Sequence, residues 1–211
     1  MRTWHRALLA IAALGTVLVA CRKDREMPTT SGTTPLALEV PPWAYDEFYP
    51  LNLPADNPLT VQGVALGRKL FYEEALSNDY SMSCASCHRQ EHAFSDSRQF
   101  SLGTDGSLGR RNSMTIQNLV WDHVFFWDTR APSLEAQAFG PVRDQAEMRN
   151  TWPTVEARLH AHPEYPALFE RVFGSPGIDS VRVVKAIAQF ERTLLSFNSA
   201  YDRFVHQGDA S

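Results

Sequence analysis

A five-residue segment, CASCH at residues 84–88, constrains this chain more than any other feature. It has the CxxCH spacing, in which both thiols attach covalently to a haem and the histidine ligates the iron. The motif therefore predicts that Cys84 and Cys87 carry one haem c and that His88 is its axial ligand. A zinc site or a redox-active dithiol is the alternative, although a structural zinc site usually takes four cysteine or histidine ligands in two pairs.

The amino terminus has the pattern of an export signal. An uncharged run over residues 7–20 is too short to span a bilayer comfortably, but its length is typical of a signal peptide core. Leu-Val-Ala-Cys at residues 18–21 resembles a lipobox, in which cleavage precedes the cysteine and Cys21 receives lipid. Residues 1–20 are thus predicted to be a lipoprotein-type signal peptide, and the mature protein to be periplasmic and anchored to a bacterial membrane. An ordinary signal peptide beside a chance cysteine is the alternative.

Cysteine usage and charge agree with an exported haem protein. Two cysteines are assigned to haem and one to lipid, so none of the three remains for a disulfide. Removal of Arg2 and Arg6 with the signal peptide lowers the 20 basic residues to 18 against 24 acidic ones, a formal charge of −6. This charge argues against nucleic acid as a partner and is compatible with a basic electron-donor protein.

The rest of the chain divides into a tether and one folded domain. Residues 21–42 contain four prolines among Thr, Ser and Gly, so they are predicted to form a flexible tether. Residues 43–211 are predicted to form an all-α, cytochrome c-like haem domain, because no segment shows the alternating pattern of a strand. Residues 89–111 are rich in Gly, Ser and Asp and have no periodicity, which predicts a long loop that wraps the haem.

Apolar residues with helical spacing predict four helices in this domain. They cover residues 59–71, 152–160, 163–173 and a segment that starts after Asp179. Thr151 is an N-cap candidate, and Gly174 is expected to end the third helix. The fourth has an apolar face that reaches Phe197. Its polar residues are predicted to lie largely outside that face: Arg182, Lys185, Gln189 and Arg192.

Several further segments resemble a known family. In chain order they are LGRKLF at 66–71, SCASCH at 83–88, Arg111-Asn112, FWDTR at 126–130, QAFGP at 137–141 and Glu147-Met148. With this order, the chain resembles the N-terminal, peroxidatic haem domain of bacterial di-haem cytochrome c peroxidases and the related MauG proteins. The similarity covers residues 59–204 and is more specific than CxxCH, which marks only covalent haem.

The resemblance implies roles for individual residues. His88 corresponds to the axial ligand of the peroxidatic haem, and Gln137 and Glu147 correspond to a distal polar pair. In that pair the glutamate moves a proton between the peroxide oxygens, while the glutamine hydrogen-bonds the bound oxygen. Cleavage of a peroxide needs a proton on the leaving oxygen, which a carboxyl group can supply. Trp127 corresponds to an electron relay between two haems, and Asn112 to a residue near an interdomain calcium.

Taken singly, these residues have simpler interpretations. Gln137 and Glu147 would be solvent-exposed helix residues, and Trp127 would be core packing. Arg111 and Arg130 either pair with haem propionates or form surface ion pairs. Two further histidines are expected to lie on the surface: His92 and His123.

Two departures limit what the resemblance implies. Many family peroxidases have a histidine that closes the resting iron, and this chain has Thr104 at that position. The iron is therefore expected to be open on its distal side, as in the MauG-like branch. The second haem domain of the family is expected to be absent, and calcium is possible only with that domain.

Two classes of function remain open. The first is a peroxidase that reduces hydrogen peroxide to water with electrons from a small periplasmic cytochrome c or cupredoxin. The second is a single-haem electron-transfer module without peroxidase turnover. An open, high-spin haem favours the first class, and a six-coordinate, low-spin haem favours the second.

Overall fold

The computed structural model of the protein describes residues 32–48 and 50–209, which form helices joined by long loops. The α-helices in these residues are α1 (Pro42–Glu47), α2 (Val61–Phe71), α3 (Leu134–Arg143), α4 (Trp152–Ala161), α5 (Tyr165–Phe173), α6 (Ser180–Glu191) and α7 (Ala200–Gln207). Strand pairing among them is limited to isolated bridges, which confirms the all-α fold. None of these helices is both long and apolar enough to cross a membrane. The predicted signal peptide and Cys21 lie outside the described residues.

Side-chain caps explain where most of the predicted helices begin and end. The Thr60 hydroxyl accepts a hydrogen bond from the Gly63 amide at the start of α2, and Thr151 caps α4 through the Thr154 amide. Gly174 ends α5 with a φ of 77°, in the left-handed region that glycine adopts without a steric cost. The helices predicted from residues 59, 152 and 163 are therefore confirmed.

The fourth predicted helix is shorter than its apolar pattern indicates. It ends at Glu191, and the apolar residues up to Phe197 follow it in a loop. The backbone of that loop is hydrogen-bonded by Asn118 and not by a helical turn. The backbone amide of Asn118 donates to the Leu194 carbonyl, and its side-chain oxygen accepts from the Ser196 amide. The ring of Phe197 then packs edge-on against Trp43 and Trp121. Burial of apolar side chains thus continues after the helix has ended.

Two polar residues in or directly after α6 are buried, contrary to the prediction that they lie outside the apolar face. Gln189 is 3% exposed, and its side chain hydrogen-bonds Asn57 and the backbone of Thr60. Arg192, directly after the helix, is 2% exposed and donates two hydrogen bonds to the Glu135 carboxylate, at 2.7 and 3.0 Å. Both burials are possible because each polar group has partners.

The last part of the predicted tether is attached to the domain. Leu36 donates its amide to the Leu59 carbonyl, and Thr34 accepts from the Val61 amide. The Gln62 side chain also accepts from the Thr34 amide at 2.8 Å. The ordered domain therefore begins before residue 43, since these backbone groups have partners beside α2.

Helices α2 and α6 cross in close contact at two glycines. A Cβ atom at Gly67 would lie 1.8 Å from the Ala186 carbonyl oxygen, and one at Gly63 would lie 2.0 Å from the Gln189 side chain. Helix α3 also packs on α6. The contact leaves one end of α6 facing a cavity that α3 and the CASCH segment enclose.

The loop after the CASCH segment folds back on itself. An isolated bridge joins Leu102 and Leu108, and the turn between them contains Gly106 with a φ of 79°. Gly103 lies so close to the Ala146 carbonyl that a Cβ atom would be 2.4 Å from its oxygen. This close approach fixes the loop against the segment that carries Glu147.

We expect Gly67→Ala to destabilise the fold, because α2 and α6 must separate to make room for the methyl group. The free energy of unfolding should fall by roughly 1–3 kcal/mol, the usual cost of overpacking. Urea denaturation followed by circular dichroism measures it. Gly140→Ala in α3 is the matched control, since its Cβ would meet only the Phe126 ring at 3.4 Å. Equal effects of the two substitutions would contradict the prediction.

Candidate haem pocket

A cavity of about 520 Å³ lies beside the CASCH segment. This volume is within the range of cofactor sites, about 300–1,000 Å³. Its walls come from the motif, the loop that follows it, α3, α6 and the segment after α3. The cavity brings together all the predicted site residues among the described ones: Cys84, Cys87, His88, Arg111, Trp127, Arg130, Gln137 and Glu147.

The CASCH segment turns so that both cysteines and the histidine face this cavity. Residues 84–86 form one turn of 3₁₀-helix, and the amides of Cys87 and His88 both donate to the Cys84 carbonyl. Ser83 and Ser86 close the start of the turn through a hydrogen bond from the Ser83 amide to the Ser86 hydroxyl. Burial raises the pKa of both thiols, so each remains protonated at neutral pH.

The His88 ring is oriented by a backbone carbonyl. Its Nδ1 lies 3.0 Å from the Phe94 carbonyl oxygen and donates to it, which puts the lone pair of the ring on Nε2. Ala93 and Phe94 reach this position through left-handed backbone conformations, with φ values of 56° and 54°. Burial lowers the pKa of His88, so the ring is neutral, although its hydrogen bonds to the backbone of Phe94 and Met114 oppose the shift. A neutral imidazole with its lone pair on Nε2 is the form that ligates iron.

These groups fit a haem better than they fit zinc. In the described part of the chain, no cluster of three or more Cys, His, Asp or Glu side chains has a geometry that holds a metal ion. Two thiols and one imidazole on the wall of a large cavity instead match the two thioether bonds and one axial bond of a haem c. Cys84 and Cys87 would hold the group covalently and His88 Nε2 would ligate its iron.

Gln137 and Glu147 lie on the cavity wall, so the structure does not support their interpretation as solvent-exposed residues. Gln137 is 8% exposed on α3, and Glu147 is partly buried in the segment that follows this helix. Burial and, to a smaller extent, the negative charge of Asp144 together raise the pKa of Glu147 to about 7, although Arg130 opposes the shift. The carboxyl group can therefore gain or lose a proton near neutral pH.

Trp127 does not pack in the core, because its side chain is 66% exposed at the rim of the cavity. Its Nε1 donates to the Asn112 carbonyl at 2.9 Å. Beside it, Arg111 and Arg130 each donate to Asp128 at 2.7 Å. The two arginines hold the pKa of Asp128 at about 2, below its usual range. They form surface ion pairs in this structure, and their pairing with propionates stays a prediction.

The other residues singled out in the sequence are less central. The Asn112 side chain donates to the carbonyls of Asp96 and Arg98, so it braces the loop after the motif. Thr104 donates its amide to the Glu147 carbonyl and is not among the residues that line the cavity. His92 and His123 are exposed, as expected.

The sequence model of the family described as di-haem cytochrome c peroxidase matches residues 61–211. The chain belongs to this family. It is 41% identical over 159 residues to the methylamine utilization protein MauG of Methylorubrum extorquens, which covers 75% of this chain and 45% of that protein. It is 34% identical over 155 residues to the cytochrome c551 peroxidase of Pseudomonas aeruginosa, covering 72% of this chain and 45% of the relative.

Solved structures of di-haem cytochrome c peroxidase relatives have the same fold. A MauG-like protein associated with microbial copper homeostasis superposes with a TM-score of 0.75 and 32% sequence identity, over 83% of this chain and 51% of that one. The chain thus spans about half the length of the relatives it matches. Haem c is the cofactor that membership of this di-haem family implies.

Sequence reasoning did not assign to the site several residues that line the cavity of this family member, among them Met82, Met114, Met148 and Glu191. No single motif marks the methionines. Helical spacing could have identified Glu191, because it lies four residues after the apolar Ile187 and shares its face of α6.

We expect the pKa of Glu147 to move in opposite directions when its two charged neighbours are neutralised. Asp144→Asn removes a negative charge that disfavours ionisation, so it should lower the pKa. Arg130→Gln removes a positive charge that favours ionisation, so it should raise it. Carbon-13 NMR titration of labelled glutamate carboxyls measures both shifts. Shifts in the same direction would show that Glu147 does not lie between these two charges.

Proposed function

We propose that this chain is a haem c peroxidase domain that reduces hydrogen peroxide to water. The observation that carries the proposal is the cavity itself, which is lined both by the CASCH segment and by a polar pair, one member of which has a pKa of about 7. The overall reaction combines one H₂O₂ with two electrons and two protons to form two water molecules. A haem bound by Cys84, Cys87 and His88 would supply the redox chemistry.

The role of Glu147 is to move a proton between the two oxygens of the peroxide. As a carboxylate it accepts the proton of the oxygen that is nearer the haem, and as a carboxylic acid it donates it to the leaving oxygen. A pKa of about 7 lets both forms exist at neutral pH. Gln137 carries amide donors that hydrogen-bond the remaining oxygen, and its burial keeps bulk water from competing for them.

Electrons enter near Trp127 in this proposal. The indole is exposed at the cavity rim, so a partner that docks there comes close to the haem. A small periplasmic cytochrome c or a cupredoxin is the proposed donor, and the acidic character of the mature chain favours a basic one. Calcium at Asn112 is proposed only for an assembly that includes a second haem domain.

The proposed location is the periplasm, with Cys21 anchored in a bacterial membrane. The support is the apolar run over residues 7–20 followed by the lipobox-like segment. Mass spectrometry of the mature amino terminus tests it, and an unmodified Cys21 would remove the anchor from the proposal.

The alternative function is a single-haem electron-transfer module, and one observation favours it. A carrier usually has a second axial ligand, and three methionines line the cavity: Met82, Met114 and Met148.

We expect Glu147→Gln in the haem-loaded protein to slow peroxide reduction by about 10²-fold to 10⁴-fold, the usual contribution of general acid–base catalysis. The amide preserves shape but cannot move a proton. Stopped-flow mixing with peroxide measures the rate, and the haem spectrum shows that loading is unchanged. Glu170→Gln on the exposed face of α5 is the matched control. If the Glu147 variant reacts as fast as the wild type, the proton-transfer role is wrong.

The ferric spin state distinguishes the two functions. Because Thr104 replaces the closing histidine, we expect a high-spin ferric haem that binds cyanide without prior reduction. EPR and optical spectra of the isolated protein measure this. A low-spin His/Met signal that leucine at one of the three methionines abolishes would instead support the electron-transfer module.

A further inference from the structure

Glu191, the last residue of α6, places a second carboxyl group in the cavity wall. The residue is 5% exposed, and its Oε2 is buried without a hydrogen-bond partner among the described residues. Ile187, one turn earlier, lines the same wall. An unpartnered buried carboxyl oxygen is costly to keep, so its position beside the cavity calls for an explanation.

The neighbouring charges do not neutralise Glu191. Arg192 is the adjacent cation, but its guanidinium donates to both oxygens of Glu135 on α3. Burial, with a smaller contribution from the charge of Glu135, raises the pKa of Glu191 to about 8, although Arg192 opposes the shift. Helix α2 packs against α6 but contributes none of the described charged groups that act on Glu191. Glu191 can therefore gain or lose a proton at mildly alkaline pH.

Glu191 lies near the point where the haem would be attached. After burial itself, its charge is the largest influence that raises the pKa of the Cys84 thiol. The thioether bond replaces this thiol in the haem-loaded protein, so Cys84 no longer titrates there. A haem held by Cys84 would therefore lie in the cavity that Glu191 lines, in a medium of low dielectric constant where a unit charge acts strongly.

We propose that Glu191 couples proton uptake to reduction of the haem iron. The proposal rests on the haem attachment in the proposed function and not on peroxide turnover. The iron passes from ferric to ferrous by accepting one electron from the donor protein, and the Glu191 carboxylate accepts one proton from solvent to become a carboxylic acid. The added electron and the carboxylate repel each other, so the proton offsets the added negative charge.

The sign of the effect follows from the charge of each form. Well below the pKa of about 8, Glu191 is neutral in both oxidation states and leaves the reduction potential unchanged. Well above it, the carboxylate disfavours the added electron and lowers the potential. The potential of the wild type should therefore fall as the pH rises through this range.

Spectroelectrochemical titration of the full, haem-loaded chain tests the proposal. We compare the wild type with Glu191→Gln and Glu191→Leu at pH values on both sides of the pKa. Both variants should match the wild type at low pH and have a higher potential at high pH, with a weaker pH dependence. Glu170→Gln, an exposed glutamate on α5, should follow the wild type throughout.

An unchanged pH dependence in both Glu191 variants would overturn the proposal. If both variants lose haem, a redox-induced infrared difference spectrum of the Glu147→Gln variant, which still contains Glu191, tests the proposal instead. The signal of a protonated carboxyl group must then appear on reduction. Its absence overturns the proposal. A Glu191-dependent potential without peroxide turnover refutes the proposed function alone. Peroxide turnover together with a reduction potential that does not depend on Glu191 refutes this inference alone.

Discussion

The close crossing of α2 and α6 is the contact on which the cavity depends. At Gly67 the two backbones approach so closely that no Cβ atom fits between them. This contact helps to position the pocket, because the CASCH segment follows α2 in the chain and Glu191 ends α6. Helix α3 packs on α6 as well and brings Gln137 to the wall of the same cavity. The positions of groups that are distant in sequence thus follow from one helix pair.

Three carboxyl groups around one cavity have very different proton affinities because their surroundings differ. Asp128 is exposed between two arginines and has a pKa of about 2. Glu147 is partly buried beside another aspartate and has a pKa of about 7, and Glu191, which is almost fully buried, has one of about 8. The pKa rises in this order because each carboxyl group is less hydrated than the one before it and has fewer cations beside it than Asp128 has. One stays charged, while the other two are able to exchange protons.

Much of this structure could be predicted from the sequence, because its strongest signals are local. The motif spacing, the cap at Thr151 and the glycine after α5 each act within a few residues. The burial of Gln189 and Arg192 was not predictable in that way, since their partners Asn57 and Glu135 are more than fifty residues away. Glu191 differs from these two residues, because its helical spacing after Ile187 places it on the apolar face, and only its charge suggested a solvent-exposed position.

The walls of the cavity come from segments between residues 76 and 191, so they meet only when most of the domain has formed. Loops of this length close slowly compared with local helix formation. Two thioether bonds at Cys84 and Cys87 would keep the haem on the chain while these segments come together. The apolar group that completes the core would then be present at an intramolecular effective concentration, whatever its concentration in solution. Covalent attachment would thereby make assembly of the pocket independent of haem supply after the first loading.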